Sequence, residues 1–229
     1  MFKNTHITLK FVLLVILFFA SLYMFLYIDN ETLREKEDGF DINVIAFWVA
    51  HIGAGLITVM KIITFFGSMW FLIGAYIILI AFFIYKKNYR YSIVIAIIAL
   101  GAIGISILFK EVFHRTRPEL PLITRLTDYS FPSGHAFSSF VFCSILAYLV
   151  WHRTVQPIWK WLISALLLLF TLSIGMSRIV LNEHFATDVI GGFSLGIMWM
   201  ILMYAIFQKW LINEKAWIPS PTSKERITE

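Results

Sequence analysis

The chain has 229 residues, 59% of them hydrophobic and only 14% charged, with a formal net charge of +5. A soluble domain of this size has too little interior for so much apolar surface, so the composition excludes one and points to a single membrane-embedded domain. The basic excess does not point to nucleic acid, because the cations sit beside hydrophobic runs, where they set topology and meet anionic lipid.

Residues 9–28 are apolar enough to span a bilayer and too long for a signal peptide, and no small-residue cleavage site follows them. Residues 29–41 carry eight charged side chains, from Asp29 to Asp41, and read as a solvated connection. Residues 42–66 are apolar but interrupted by His51, Gly53, Gly55 and Lys61, the pattern of an interfacial or tilted helix. Gly67 breaks the chain before a second span at 68–85, which ends at Lys86, Lys87 and Arg90. A third span at 92–109 delivers Lys110 to its far end, and a polar connection, 111–131, follows. A fourth span at 136–151, a fifth at 161–176 and a sixth at 189–207 complete the set. Cys143 is the one cysteine; it lies in an apolar run and reads as a buried, inert thiol.

The expected architecture is therefore an all-α integral membrane protein of six transmembrane helices, with an interfacial helix between the first two spans. Residues 1–211 form the membrane domain and 212–229 a cytoplasmic tail. With the N-terminus inside, the inner segments hold 11 of the 19 basic residues. Setting aside Lys110, Arg117 and Arg178 leaves five outside, so both termini are expected in the cytoplasm.

Polarity concentrates between Lys110 and Asp188, in three clusters. The first is K-x6-R-P, from Lys110 to Arg117 and Pro118; the second is Pro132-Ser133-Gly134-His135; the third is S-R-x5-H-x3-D, from Ser177 and Arg178 to His184 and Asp188. Lys110 and Arg117 lie two helical turns apart on nearly one face, roughly 10 Å along the axis. His184 and Asp188 are an i, i+4 pair, so the carboxylate can hold one imidazole nitrogen while the other points outward. Ser133 is a good N-cap for the helix that follows. Its N–H and that of Gly134 are then unpaired donors at the positive end of a helix dipole. A group in phosphoryl transfer carries charge on three equatorial oxygens, and three fixed cations with such donors suit it. Ionisable groups at membrane depth are costly and mark function. His114, Arg115, Arg125, Asp128 and Glu183 lie near these clusters but outside them, and read as solvated loop or supporting residues.

Together the three clusters resemble the type-2 phosphatidic acid phosphatase superfamily of membrane lipid phosphatases, whose three signature motifs stand here in order and without substitution. The resemblance implies that His184 is the nucleophile, forming a phosphohistidine, and that Asp188 orients its ring. It further implies that His135 protonates the departing oxygen and later activates water, with Lys110, Arg117, Ser133, Gly134 and Arg178 holding the phosphate. No metal or other cofactor is expected, since the motifs lack a carboxylate cluster for Mg²⁺. The implied partners are the bilayer and a lipid phosphate met at the extracytoplasmic face. Undecaprenyl pyrophosphate, phosphatidylglycerophosphate and phosphatidic acid all remain open as that lipid, and oligomeric state is open too. Vanadate-dependent haloperoxidases share this anion site but are soluble. A non-catalytic lipid transporter would need the cations but not the two histidines and Asp188.

Overall fold

In lipid, every backbone N–H and C=O must find a partner within the protein, which forces long apolar segments into helices. A computed structural model of the chain describes residues 3–28, 39–123, 127–152 and 156–212. It contains α1 (Lys3–Ile28), α2 (Gly39–His51), α3 (Ala54–Phe65), α4 (Met69–Tyr85), α5 (Tyr89–Phe113), α6 (Gly134–Trp151), α7 (Pro157–Val180) and α8 (Ala186–Ile212). The boundaries follow local rules. Ser68 caps α4 by accepting the Phe71 N–H at 3.4 Å, and Pro157 opens α7 at a position where its missing N–H costs nothing. His114 ends α5 in the left-handed conformation at φ 50°, its N–H donating to the Lys110 carbonyl.

Helices α1, α5, α6, α7 and α8 are each long and apolar enough to cross a membrane, and α3 and α4, bent by 41°, make a sixth candidate when the pair is counted as one span. The six-span expectation agrees with this. The segment 42–66 differs in detail, because two helices replace the one expected. Gly53 takes an extended conformation, φ −105° and ψ 161°, which breaks the helix and starts α3. The solvated connection expected over 29–41 falls largely outside the described residues, as do Arg125, Arg153 and the tail beyond Ile212. Asp41, expected in that solvated stretch, is instead 1% exposed in the first turn of α2.

α6 lies at the centre, packed on both α7 and α8, while α1 lies along α8. Gly192 of α8 permits a close approach of backbone to backbone: a Cβ there would stand 2.7 Å from the Ser133 carbonyl oxygen. Phe131 is fully buried and packs on Phe25 of α1 and Phe113 of α5, at ring separations of 5.3 and 5.0 Å. These rings anchor the connection that leads into α6. Cys143 is buried, as expected. Large side chains such as Trp70, Ile78 and Leu100 face outward, where lipid is their solvent.

Candidate active site

Antiparallel succession places the chemistry. α5 and α7 end, and α6 and α8 begin, at the same end of the bundle. Lys110, His135, Arg178 and Asp188 therefore converge from four helices, although the sequence scatters them.

The centre is the turn between α7 and α8. His184 and Asp188 are buried, with Nδ1 of the imidazole 3.3 Å from Oδ2 of the carboxylate. A carboxylate can only accept, so Nδ1 carries the proton and Nε2 keeps its lone pair. That Nε2 faces Nη1 of Arg117 at 3.1 Å. Burial, then the charges of Arg117, Arg178 and Lys110, holds the imidazole well below its ordinary pKa, so it is neutral. Asp188 is itself held from two further sides. Its Oδ2 accepts the Phe185 N–H at 2.9 Å, as the third helical residue commonly does for an N-cap, and its Oδ1 accepts from Arg115 at 2.6 Å.

Lys110, Arg117, Gly134, His135 and His184 line one cavity of about 270 Å³. One wall of this cavity is polar. The other runs away between α4 and α5 over Leu72, Ile73, Ala102 and Ile103. Gly134 contributes an open surface, since a Cβ there would touch just the Ser106 hydroxyl, at 3.6 Å. Gly67, at the bend between α3 and α4, lets the His135 ring sit close: a Cβ would lie 3.1 Å from its Cδ2.

Two candidate phosphate ligands stand behind this lining. Arg178 is buried, donating to the Thr64 hydroxyl at 2.9 Å and facing Glu183 at 3.4 Å, while its Nε has no hydrogen-bond partner among the described residues. Ser133 sits at the N-cap of α6, but its N–H, expected to be free, donates to the Asp188 carbonyl at 3.0 Å. Its buried hydroxyl has no partner among the described residues. Burial pushes the Glu183 carboxyl up against the pull of Arg178 and Arg117.

The site also contains residues that the motifs do not carry. Arg115 bridges Asp188 to Asp41 of α2, donating to Asp41 at 2.8 Å, and Asp41 also accepts from the N–H and hydroxyl of Thr187. Arg115, expected in a solvated or supporting role, is thus a part-buried strut. Asp128 pairs with both Lys110 and Arg117, the latter at 2.8 Å. Although burial works against it, the hydrogen bond and charge of Lys110, with Arg117, hold this carboxyl below its usual range. His114 stacks edge-on against Tyr129. Helical spacing flags none of these partners. The one available signal was that Asp41 is an acid directly beginning an apolar helix. Among the described residues, no three His, Cys, Asp or Glu side chains converge as a metal ion requires.

The chain is similar to known proteins over much of its length. The family model described as the PAP2 superfamily matches residues 90–212. The chain is 31% identical over 153 residues to phosphatidylglycerophosphatase B of Bacillus subtilis, covering 66% of this chain and 75% of that protein. A shorter match, 32% identical over 90 residues, covers 36% of this chain and 41% of an Escherichia coli protein named for undecaprenyl-diphosphatase activity. The solved structure of a transmembrane PAP2-type phosphatidylglycerolphosphate phosphatase from Bacillus subtilis superposes with a TM-score of 0.73 at 27% identity. That superposition covers 86% of this chain and 96% of the other.

Proposed function

The chain belongs to the PAP2 superfamily, and from that premise we propose that it removes phosphate from a lipid phosphomonoester or pyrophosphate through a covalent phosphohistidine at His184. The observation that carries this reading is the shape of the cavity. It joins a neutral imidazole and two cations at one end to an apolar wall of α4 and α5 at the other. A phosphate head and its lipid chain meet both requirements at once.

In the first step the lone pair on Nε2 of His184 attacks phosphorus, and the bond from phosphorus to the lipid oxygen breaks. His135 gives that oxygen its proton. Asp188 holds the Nδ1 proton and stabilises the positive charge that develops on the ring, while Arg115 and the Phe185 N–H fix the carboxylate. In the second step His135 takes a proton from water, the hydroxide attacks phosphorus, and the N–P bond breaks to regenerate His184. Lys110, Arg117 and Arg178 spread the charge of the equatorial oxygens, the role that Mg²⁺ fills elsewhere, with donors from Ser133 and Gly134 beside them. Binding would turn the free Nε of Arg178 and the hydroxyl of Ser133 to use.

The test uses purified protein in one detergent, with phosphatidic acid, phosphatidylglycerophosphate and undecaprenyl pyrophosphate compared side by side. Phosphate release from at least one is expected, with ³²P retained on the protein after an alkaline quench and lost in acid, as the N–P bond of a phosphohistidine requires. His184→Ala should abolish both signals. Substantial turnover by that variant would remove the covalent mechanism.

A further inference from the structure

The apolar wall between α4 and α5 gives no means of telling one lipid from another, because any acyl chain fits it. Discrimination has to occur at the polar end. There the two cations of the first motif are already occupied. Asp128 accepts from Nζ of Lys110 through Oδ2 and from Nη2 of Arg117 through Oδ1, and its backbone carbonyl accepts from Nε of Arg117 at 3.0 Å. A phosphate that bridged the same two cations would need the positions these carboxylate oxygens hold.

We propose that Asp128 is a specificity-determining residue: a resident anion that admits ligands bringing two negative charges and turns away the singly charged phosphodiester lipids of the surrounding bilayer. The proposal rests on the lipid phosphatase reading above and deepens it. Displacing Asp128 exchanges one negative charge for whatever the ligand brings. A phosphomonoester or pyrophosphate near neutral pH brings about two, so the exchange leaves the cations better neutralised. A phosphodiester brings one, and two of its four oxygens are esterified, so it gains nothing to offset the lost carboxylate bonds.

The structure supplies a place for the displaced group. Arg117 and Asp128 also line a second, polar cavity of about 350 Å³, together with Thr127, Tyr129 and Asn182. The Asp128 side chain is already 50% exposed, while those of Lys110 and Arg117 are 14% and 11% exposed. Asp128 can therefore exchange its ion pairs for water while the cations stay in place. A residue that served to orient those cations would instead be the better-buried partner.

The experiment is competition in mixed micelles, with dioleoylphosphatidic acid as substrate and dioleoylphosphatidylglycerol as phosphodiester competitor. Wild type should be inhibited weakly. Asp128→Asn should be inhibited at least ~10-fold more strongly, the change expected on removing a charged hydrogen-bonding competitor. Unchanged or weaker inhibition of the variant, or a fall in kcat alone, would overturn the proposal and leave Asp128 as a positioning residue. Hydrogen–deuterium exchange on the wild-type protein gives a second reading that does not depend on the variant folding. Orthovanadate should speed exchange in the peptide containing Thr127–Tyr129, and protection or no change there would equally overturn the proposal. Failure to hydrolyse any of the three lipid phosphates would instead strike the phosphatase reading itself.

Discussion

Asp188 is asked to hold a histidine, an arginine and a backbone N–H simultaneously, and its value to catalysis lies in that fixity. Asp188→Asn should preserve packing but lose the stabilisation of the charged ring, lowering kcat by ~10²–10⁴-fold in steady-state assays, as for comparable His–Asp pairs. Arg115 acts one step further out. Arg115→Ala should lower kcat with little change in KM, and Arg115→Lys should restore a part of it, because one ammonium can still reach one carboxylate. The pH profile follows from the neutral imidazole. A lowered His184 pKa means that the acid limb of kcat/KM, corrected for substrate ionisation, lies below pH 6.5. Arg117→Gln removes the largest of the charges that depress it and should move that limb to higher pH. The His184–Asp188 pair was legible in the sequence because it closes within one helical turn. Arg115 and Asp41 were not, since 74 residues separate them and tertiary packing alone brings them together.

At the scale of elements, α2 and α3 are more than a surface anchor. α2 supplies Asp41 to Arg115 and Thr187, and α3 supplies Thr64 to Arg178, so both helices brace the catalytic turn from outside the motif region. Asp41→Ala would leave the buried Thr187 N–H and the Nη2 end of the Arg115 guanidinium without an acceptor, while Nη1 keeps Asp188. The expected cost is about 1–3 kcal/mol, read as a fall in the unfolding midpoint in detergent. Thr64→Val loses one hydrogen bond to a charged group, and should cost about 1.5–3 kcal/mol, with a matching rise in KM. The six spans were readable because lipid demands continuous apolar helices. The function of 42–66 was not readable, because the pattern that marks an interfacial helix says nothing of what its polar residues touch. Glycine positions show the same divide. Gly67 reads as a break in the chain, but the room it leaves for His135 is visible in three dimensions alone.

For the whole molecule the question is which side of the membrane the site faces. Successive helices alternate in direction, so the turn after α4, with Lys86 and Lys87, lies at the opposite end from the catalytic turn. Fixing one end fixes the other. The basic residues outside the motifs favour the Lys86–Lys87 end as cytoplasmic by 11 to five. An extracytoplasmic site would draw on lipid phosphates of the outer leaflet, with its phosphate released away from the cell interior. Single cysteines can read this directly, because the native Cys143 is 5% exposed and should stay silent. Leu120, beside the site, is 85% exposed. Leu120→Cys should react with a membrane-impermeant maleimide in intact cells, and Lys86→Cys should react after the membrane is opened. The reverse pattern would place the site in the cytoplasm and change the lipid pool on which the enzyme acts.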